Sequence, residues 1–353
     1  MTTYPADSKH VRTIGRSLFR DGIRYLSWSC SAVEFMFTGT EGTAEIWTDW
    51  VLDEPWKGIF QAYLAVFVND ESEPRLRFPI DEGTKQYPIY KSDKAEAVKI
   101  RIVKLSEAAF DKIGIVGISA DGEISPTAPL PCRMEFIGDS ITCGFGIEGK
   151  SGEENFRTET ENPWINYAAL TARNLGADFH LISWSSIGVY SSDCKDENAE
   201  KPNDGWVMPM LYDYTDIGLE GTLGMEEKIP WNFAEREPQV IVVNLGTNDA
   251  LFTKNIPQRV EEFEKAYGKF IEKIREKNSS AYIICALGMM GDELFPAIEK
   301  AVNRIGDGRV FALKFDVQRE EDGIGSEGHP NSVTHRKAAE RLIQKVSEIT
   351  GWD

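Results

Sequence analysis

Ser140 follows a glycine and a carboxylate at the end of an apolar run, in MEFIGDSITCGFG (residues 134–146). Gly, Asp and Ser are common turn formers, so the stretch is either a plain turn or a serine displayed for chemistry. A serine hydroxyl is a weak nucleophile until a base takes its proton, and histidine is the usual base near neutral pH. The chain has four histidines. His10 precedes the first apolar runs, His180 lies inside an apolar run as a packed core residue, and His335 sits a turn into a helical stretch, capping or packing. His329 stands in the glycine-rich GIGSEGHPN (323–331), fixed by Pro330 and followed by Asn331 and Ser332 as helix caps. Ser140 and His329 are therefore the candidate nucleophile and base.

Acyl transfer also needs donors aimed at the oxyanion, and backbone amides with an Asn side chain are common suppliers. The Ser140 amide follows a tight turn, Asn248 in LGTND offers a side-chain amide, and Gly188 in SWSSIGVY lets a third backbone approach closely. Asp139 is next to the nucleophile and cannot easily reach the imidazole, so it is expected to bond loop amides. GFGIEG (144–149) fits G-x-G-x-x-G but neither follows a strand directly nor opens a helix, so nucleotide binding is not expected. Its glycines instead let a loop pass close to the site.

These residues need a scaffold, and the chain supplies two rhythms. From about residue 11 to 125 it reads as short strands, such as AVEFMF, TAEIWTDW, FQAYLAVFVN and AVKIRIVKL, with period-two alternation at Val33-Phe35-Phe37 and Val98-Ile100-Ile102. This predicts an antiparallel β-sandwich over 1–124. SPTAPLPC (125–132) is a proline-rich linker. Over 133–353, apolar runs (MEFIG, FHLISW, QVIVVNLG, AYIICALG, RVFALKF) alternate with amphipathic helices. In the 258–277 helix, Val260, Phe263, Tyr267, Phe270, Ile271 and Ile274 share a face. The prediction is an α/β/α domain with a parallel sheet of about five strands. In such sheets ligands bind beyond the carboxyl ends of the strands, where Ser140, Gly188, Asn248 and His329 all fall.

The 353 residues suit two domains. With 57 acidic against 39 basic residues the net charge is −18 and no Lys/Arg block occurs, which disfavours nucleic acid and anionic membranes as partners. No segment has signal-peptide or membrane-spanning character, so the expected location is cytoplasmic, or secreted if a leader was removed. The five cysteines are scattered and odd in number, as reduced thiols would be, and lack metal-type spacing. No metal or organic cofactor is expected, and a homo-oligomer is compatible with the sequence.

Taken in order, Gly138-Asp139-Ser140, Gly188, GTND with Asn248 and GHPN with His329 resemble the four blocks of the SGNH, or GDSL-like, hydrolases. The layout is most similar to carbohydrate esterase family 2, in which a jelly-roll domain precedes the hydrolase domain; GRSLFRDGIRYLSWSCSAVEFMFTGT and WNFAEREPQVIVVNLGTND carry that likeness. The resemblance implies a serine esterase that removes acetyl groups from sugar hydroxyls, as in acetylated xylan. It also implies an orienting Asp two or three residues before the histidine, where this chain has Glu327 and Ser326. Either Glu327 or a backbone carbonyl then holds the imidazole. Trp206 and Trp231 are candidate platforms for a sugar ring, with loop packing as the alternative. Two other readings stay open: an esterase or thioesterase acting on another acyl group, such as a lysophospholipid, and a glycan-binding protein with a degenerate hydrolase domain.

Overall fold

The computed structural model describes residues 1–49 and 58–353; Trp50, the last residue of the TAEIWTDW run, lies outside them. The chain divides into two compact units. One comprises Met1–Leu130, Arg157–Glu161 and Thr215–Ile229, and the other Pro131–Phe156, Asn162–Tyr214 and Pro230–Asp353. The change of rhythm at 125–132 thus coincides with the first unit boundary, but two short segments from later in the chain join the first unit. Thr158 N–H donates to the Ile59 carbonyl at 2.8 Å, and the Trp28 indole N–H donates to the Thr215 carbonyl at 2.6 Å. Neither segment carries a periodicity that would reveal this in the sequence.

The first unit is built on an antiparallel sheet of ten described strands. Its longest members are β1 (Ala32–Thr48) and β3 (Gly83–Lys104), which pair with each other, while β2 (Tyr63–Val68) pairs with β3 and β4 (Ile113–Ala120) with β1. The buried set on β1 is odd-numbered at Phe35 and Phe37 but even-numbered at Ala44 and Ile46. The change falls where the pairing with β3 is irregular, at Gly39/Glu41 and Gly42/Thr43.

In the second unit, β5 (Cys132–Gly138), β6 (Ala177–Ser183), β7 (Val240–Asn244), β8 (Tyr282–Met289) and β9 (Val310–Val317) form a parallel sheet in the order β6-β5-β7-β8-β9. The fold is the expected antiparallel domain followed by a five-stranded α/β domain. β5 to β8 are buried almost throughout, as both faces of a parallel sheet must be, whereas β9 at the sheet edge is only partly buried. Helices α1 (Ser140–Cys143), α2 (Tyr167–Asn174), α3 (Thr247–Thr253), α4 (Pro257–Lys277), α5 (Phe295–Ile305) and α6 (Ser332–Thr350) follow or precede these strands. α4 starts with Pro at its first turn, where the missing N–H costs nothing, and buries Phe263, Tyr267, Phe270, Ile271 and Ile274. Among the described residues no helix is long and apolar enough to cross a membrane.

Glu135 lies inside this sheet and is almost fully buried. His180 Nε2 meets its carboxyl group at 2.8 Å and the Tyr212 hydroxyl donates to it at 2.8 Å, so the buried polar group has the hydrogen-bond partners burial demands. His180 is thus a core histidine. His335 is another: it stacks on Tyr167 and accepts that residue's N–H on Nδ1 at 3.1 Å.

Candidate active site

The strand order reverses direction between β5 and β7, and the crevice beyond their carboxyl ends is where an open α/β sheet binds ligands. Ser140 leaves β5 and Asn248 leaves β7, so the two flank this point. A Cβ at Gly138 would stand 2.0 Å from Thr142 Oγ1, so the turn needs a glycine. Asp139 caps α1 by accepting the Ile141 N–H at 3.1 Å, as expected of a loop-bonding carboxylate. Ser140 occupies the first helical position, whose N–H has no acceptor within the helix.

His329 Nε2 lies 2.9 Å from Ser140 Oγ. Its loop is anchored by Asn331, which caps α6 through the N–H groups of Val333 and Thr334 and donates to the Asp322 carbonyl at 2.6 Å. His329 Nδ1 faces the Glu327 carbonyl oxygen at 3.2 Å. The Glu327 carboxylate points elsewhere and accepts the Phe156 N–H at 3.1 Å. Burial pushes the His329 pKa below its usual 6.5, against the opposing pull of its bonds to residues 326 and 327. The imidazole is therefore neutral at pH 7, the state a base requires.

Ser140, His329 and Asn248 line one cavity of about 570 Å³, with Ser186, Asn255 and Glu327 also in its wall. These last three have positive φ values of 64°, 57° and 50°. Such conformations are uncommon outside glycine and gather at functional sites. Asn248 Nδ2 donates to the Ile187 carbonyl at 2.9 Å and lies 3.4 Å from Asp139 Oδ2.

Gly188 is set back from the cavity wall, with its N–H donating to Ser192 Oγ at 3.2 Å. Trp231 is buried against His180 and Trp206 packs edge-on to Trp184 at 5.3 Å; neither lines the cavity. The glycines of GFGIEG do permit close approach: a Cβ at Gly146 or Gly149 would come within 2.9 or 2.2 Å of Ser326.

Asp249, beside Asn248, escaped the sequence analysis. Its fully buried carboxylate collects the backbone N–H groups of Val189, Tyr190 and Ser191 at 2.7–3.2 Å and so fixes the turn after Gly188. The GTND motif contains it, but one acidic residue in a motif does not announce which distant amides it will bind.

Residues 136–307 match the GDSL-like Lipase/Acylhydrolase family, and residues 13–129 match the carbohydrate esterase 2 N-terminal family. The chain is 32% identical over 339 residues to the cellulase/esterase CelE of Acetivibrio thermocellus, covering 92% of this chain and 38% of that protein. It spans, in other words, well under half the length of that relative. It is 23% identical over 367 residues to an acetylxylan esterase/glucomannan deacetylase of Cellvibrio japonicus, covering 99% of this chain and 92% of that one. A family two carbohydrate esterase from Clostridium thermocellum, solved in complex with cellohexaose, superimposes with a TM-score of 0.84 at 30% identity, over 97% of this chain and 100% of the other.

Proposed function

The chain belongs to carbohydrate esterase family 2, and from that membership and the geometry of the site we propose that it removes acetyl groups from acetylated carbohydrates through an acetyl-serine intermediate. The observation that carries the proposal is the 2.9 Å approach of His329 Nε2 to Ser140 Oγ beside Asn248 at the switch point of the sheet.

In the proposed reaction His329 Nε2 accepts the Ser140 proton as Oγ attacks the acetyl carbonyl carbon. The carbonyl oxygen becomes an oxyanion held by the Ser140 N–H and the Asn248 side-chain amide. The Gly188 N–H joins them if the Ser192 hydroxyl turns away. Collapse of the intermediate breaks the ester bond, and His329 returns its proton to the departing sugar oxygen. Water, deprotonated by the same imidazole, then attacks the acetyl-enzyme, and as the acetyl–Oγ bond breaks His329 passes that proton to Ser140 Oγ, which frees the serine and releases acetate. The neutral state of His329 at pH 7 supports its first role, and the positively charged imidazolium formed in the first step suits it to the second.

Acetate release from acetylated xylo-oligosaccharides and from a small activated acetate ester, by the wild type and by Ser140→Ala, tests the proposal. Activity on both substrates that vanishes in the variant is expected. A folded wild-type protein inactive on both overturns the esterase reading in favour of glycan binding.

A further inference from the structure

Among the described residues no carboxylate meets His329 Nδ1, which faces the Glu327 carbonyl, and the structure holds its imidazole in another way. The Phe145 ring lies against the imidazole with centroids 4.4 Å apart and planes tilted 38°. Behind it, Phe156 stacks on Phe145 at 3.5 Å and 10°. The Phe156 N–H donates to Glu327 Oε1, and the Glu327 carbonyl faces His329 Nδ1. These contacts close a circuit that runs from Glu327 through Phe156, Phe145 and His329 back to Glu327.

The backbone around this circuit is interlocked. Phe145 N–H donates to the Ser140 carbonyl at 3.1 Å, so the aromatic ring hangs from the residue bearing the candidate nucleophile. Ser326 N–H donates to the Gly146 carbonyl and Glu327 N–H to the Glu154 carbonyl, each at 3.0 Å. Glu327 itself adopts φ 50° and ψ 39°, a left-handed conformation that disfavours any residue with a Cβ. Glycine would sit there without strain. A side chain kept at such a position needs a reason, and its bond to Phe156 supplies one.

We propose that Glu327 is a positioning residue that works through an aromatic clamp: its carboxylate anchors Phe156, whose ring backs Phe145 against the His329 imidazole and keeps Nε2 aimed at Ser140. Glu327 does this as a hydrogen-bond acceptor and not as the charge partner of the histidine. The inference rests on the assignment of Ser140 and His329 given above. Its chemistry differs from that of a triad acid, in which the carboxylate stabilises the imidazolium directly.

The test compares Glu327→Gln, Glu327→Ala and Phe145→Leu with the wild type on a small acetate ester, recording kcat, KM and the acid limb of kcat/KM. Gln retains an acceptor for the Phe156 N–H, so the clamp requires it to rescue most of what Ala loses. The expected result is kcat within about threefold of wild type for Gln, against losses of about tenfold for Ala and for Leu, with KM little changed and the acid limb only slightly lowered in Gln, because the Glu327 charge is the weakest of the influences that raise the His329 pKa. The double variant Glu327→Ala/Phe145→Leu is expected to lose much less than the product of the single losses, because both break one circuit.

A Glu327→Gln variant as impaired as Glu327→Ala, with its acid limb displaced strongly downward, assigns the carboxylate as a charge partner and overturns the clamp. A Glu327→Ala variant with wild-type kcat overturns it too. A second readout is independent of turnover. The NMR shifts of the His329 ring protons, which the Phe145 ring current sets, are expected to move in Glu327→Ala and Phe145→Leu and to stay in Glu327→Gln. If the wild type proves inactive, the esterase reading fails while these shifts still decide the clamp.

Discussion

Tyr190 donates its backbone N–H to the Asp249 carboxylate at 2.7 Å, and the N–H groups of Val189 and Ser191 converge on the same group. One buried side chain thus fixes the turn that follows Gly188. Asp249→Ala leaves three amides without an acceptor and frees that turn. A fall in kcat on a small acetate ester of about ten- to a hundredfold, with a smaller change in KM, is the expected outcome. Asp249→Asn keeps one acceptor oxygen and is expected to lie between the two.

The same carboxylate makes a prediction about stability. Burial raises its pKa from 3.8 to about 6, in spite of the three N–H donors. Because the folded value exceeds the unfolded one, its contribution is fully present below about pH 4 and is lost as pH rises through about 6. The linkage is worth roughly 3 kcal/mol. Asp249→Asn, which cannot ionise, is therefore expected to gain on the wild type in thermal stability between pH 4 and pH 7, even as it loses activity. Melting temperatures of both proteins at those two pH values check this, and a constant difference between them counts against it.

The lowered pKa of His329 sets the acid limb of the proposed reaction. The base must be neutral, and burial keeps it so to below pH 6.5. The profile of kcat/KM is expected to be flat near pH 7 and to fall about tenfold per pH unit beneath a midpoint under 6.5. A midpoint above 6.5 would mean that a negative charge stabilises the imidazolium, contrary to the carbonyl contact at Nδ1.

Much of this was legible in the sequence because it is periodic or local. Apolar runs alternating with the α4-type face gave the parallel sheet, and Gly138-Asp139-Ser140, Asn248 and His329 stood at the ends of those runs, where a sheet presents ligands. What remained hidden depends on contacts far apart in the chain. Nothing in GSEGHPN shows that the Glu327 side chain turns to Phe156 while its carbonyl turns to His329, and nothing in GTND shows Asp249 reaching residues 189–191. Trp231 shows the converse limit: an aromatic residue near a loop reads as a platform, but its ring is buried beside His180. Likewise 215–229 joins the first unit through pairings, such as Trp28 to Thr215, that no periodicity encodes.

Glu34 predicts the acid behaviour of the first unit. Burial alone would raise its pKa, but attraction to Arg101 together with hydrogen bonds from Arg12 and Thr127 holds it at about 2, against 4.5 ordinarily. A depressed folded pKa stabilises above the unfolded value, and that contribution is lost as pH falls from about 4.5 through about 2. Glu34→Gln is expected to destabilise the protein by several kcal/mol, about 3, at pH 7 and progressively less toward pH 2. Denaturant midpoints measured at pH 7 and pH 3 read the difference directly.

Two glycines on the same long loop separate a structural glycine from an incidental one. A Cβ at Gly188 would come within 2.1 Å of the Ser191 carbonyl oxygen and 2.9 Å of Asp249 Oδ1, whereas a Cβ at Gly205 would meet nothing within 4 Å. The Ser191 backbone cannot yield cheaply, because Asp249 holds its N–H. Gly188→Ala must therefore push apart the turn and the carboxylate that organises it. An intact fold by circular dichroism with kcat reduced about ten- to a hundredfold is the expected outcome, since the displaced turn includes the Ile187 carbonyl that holds Asn248 Nδ2 at 2.9 Å and so positions the proposed oxyanion donor. Gly205→Ala is expected to match the wild type in both melting temperature and kcat. If Gly188→Ala retains full activity, the turn at 187–191 is not part of the oxyanion site, and Ser140 and Asn248 form it alone.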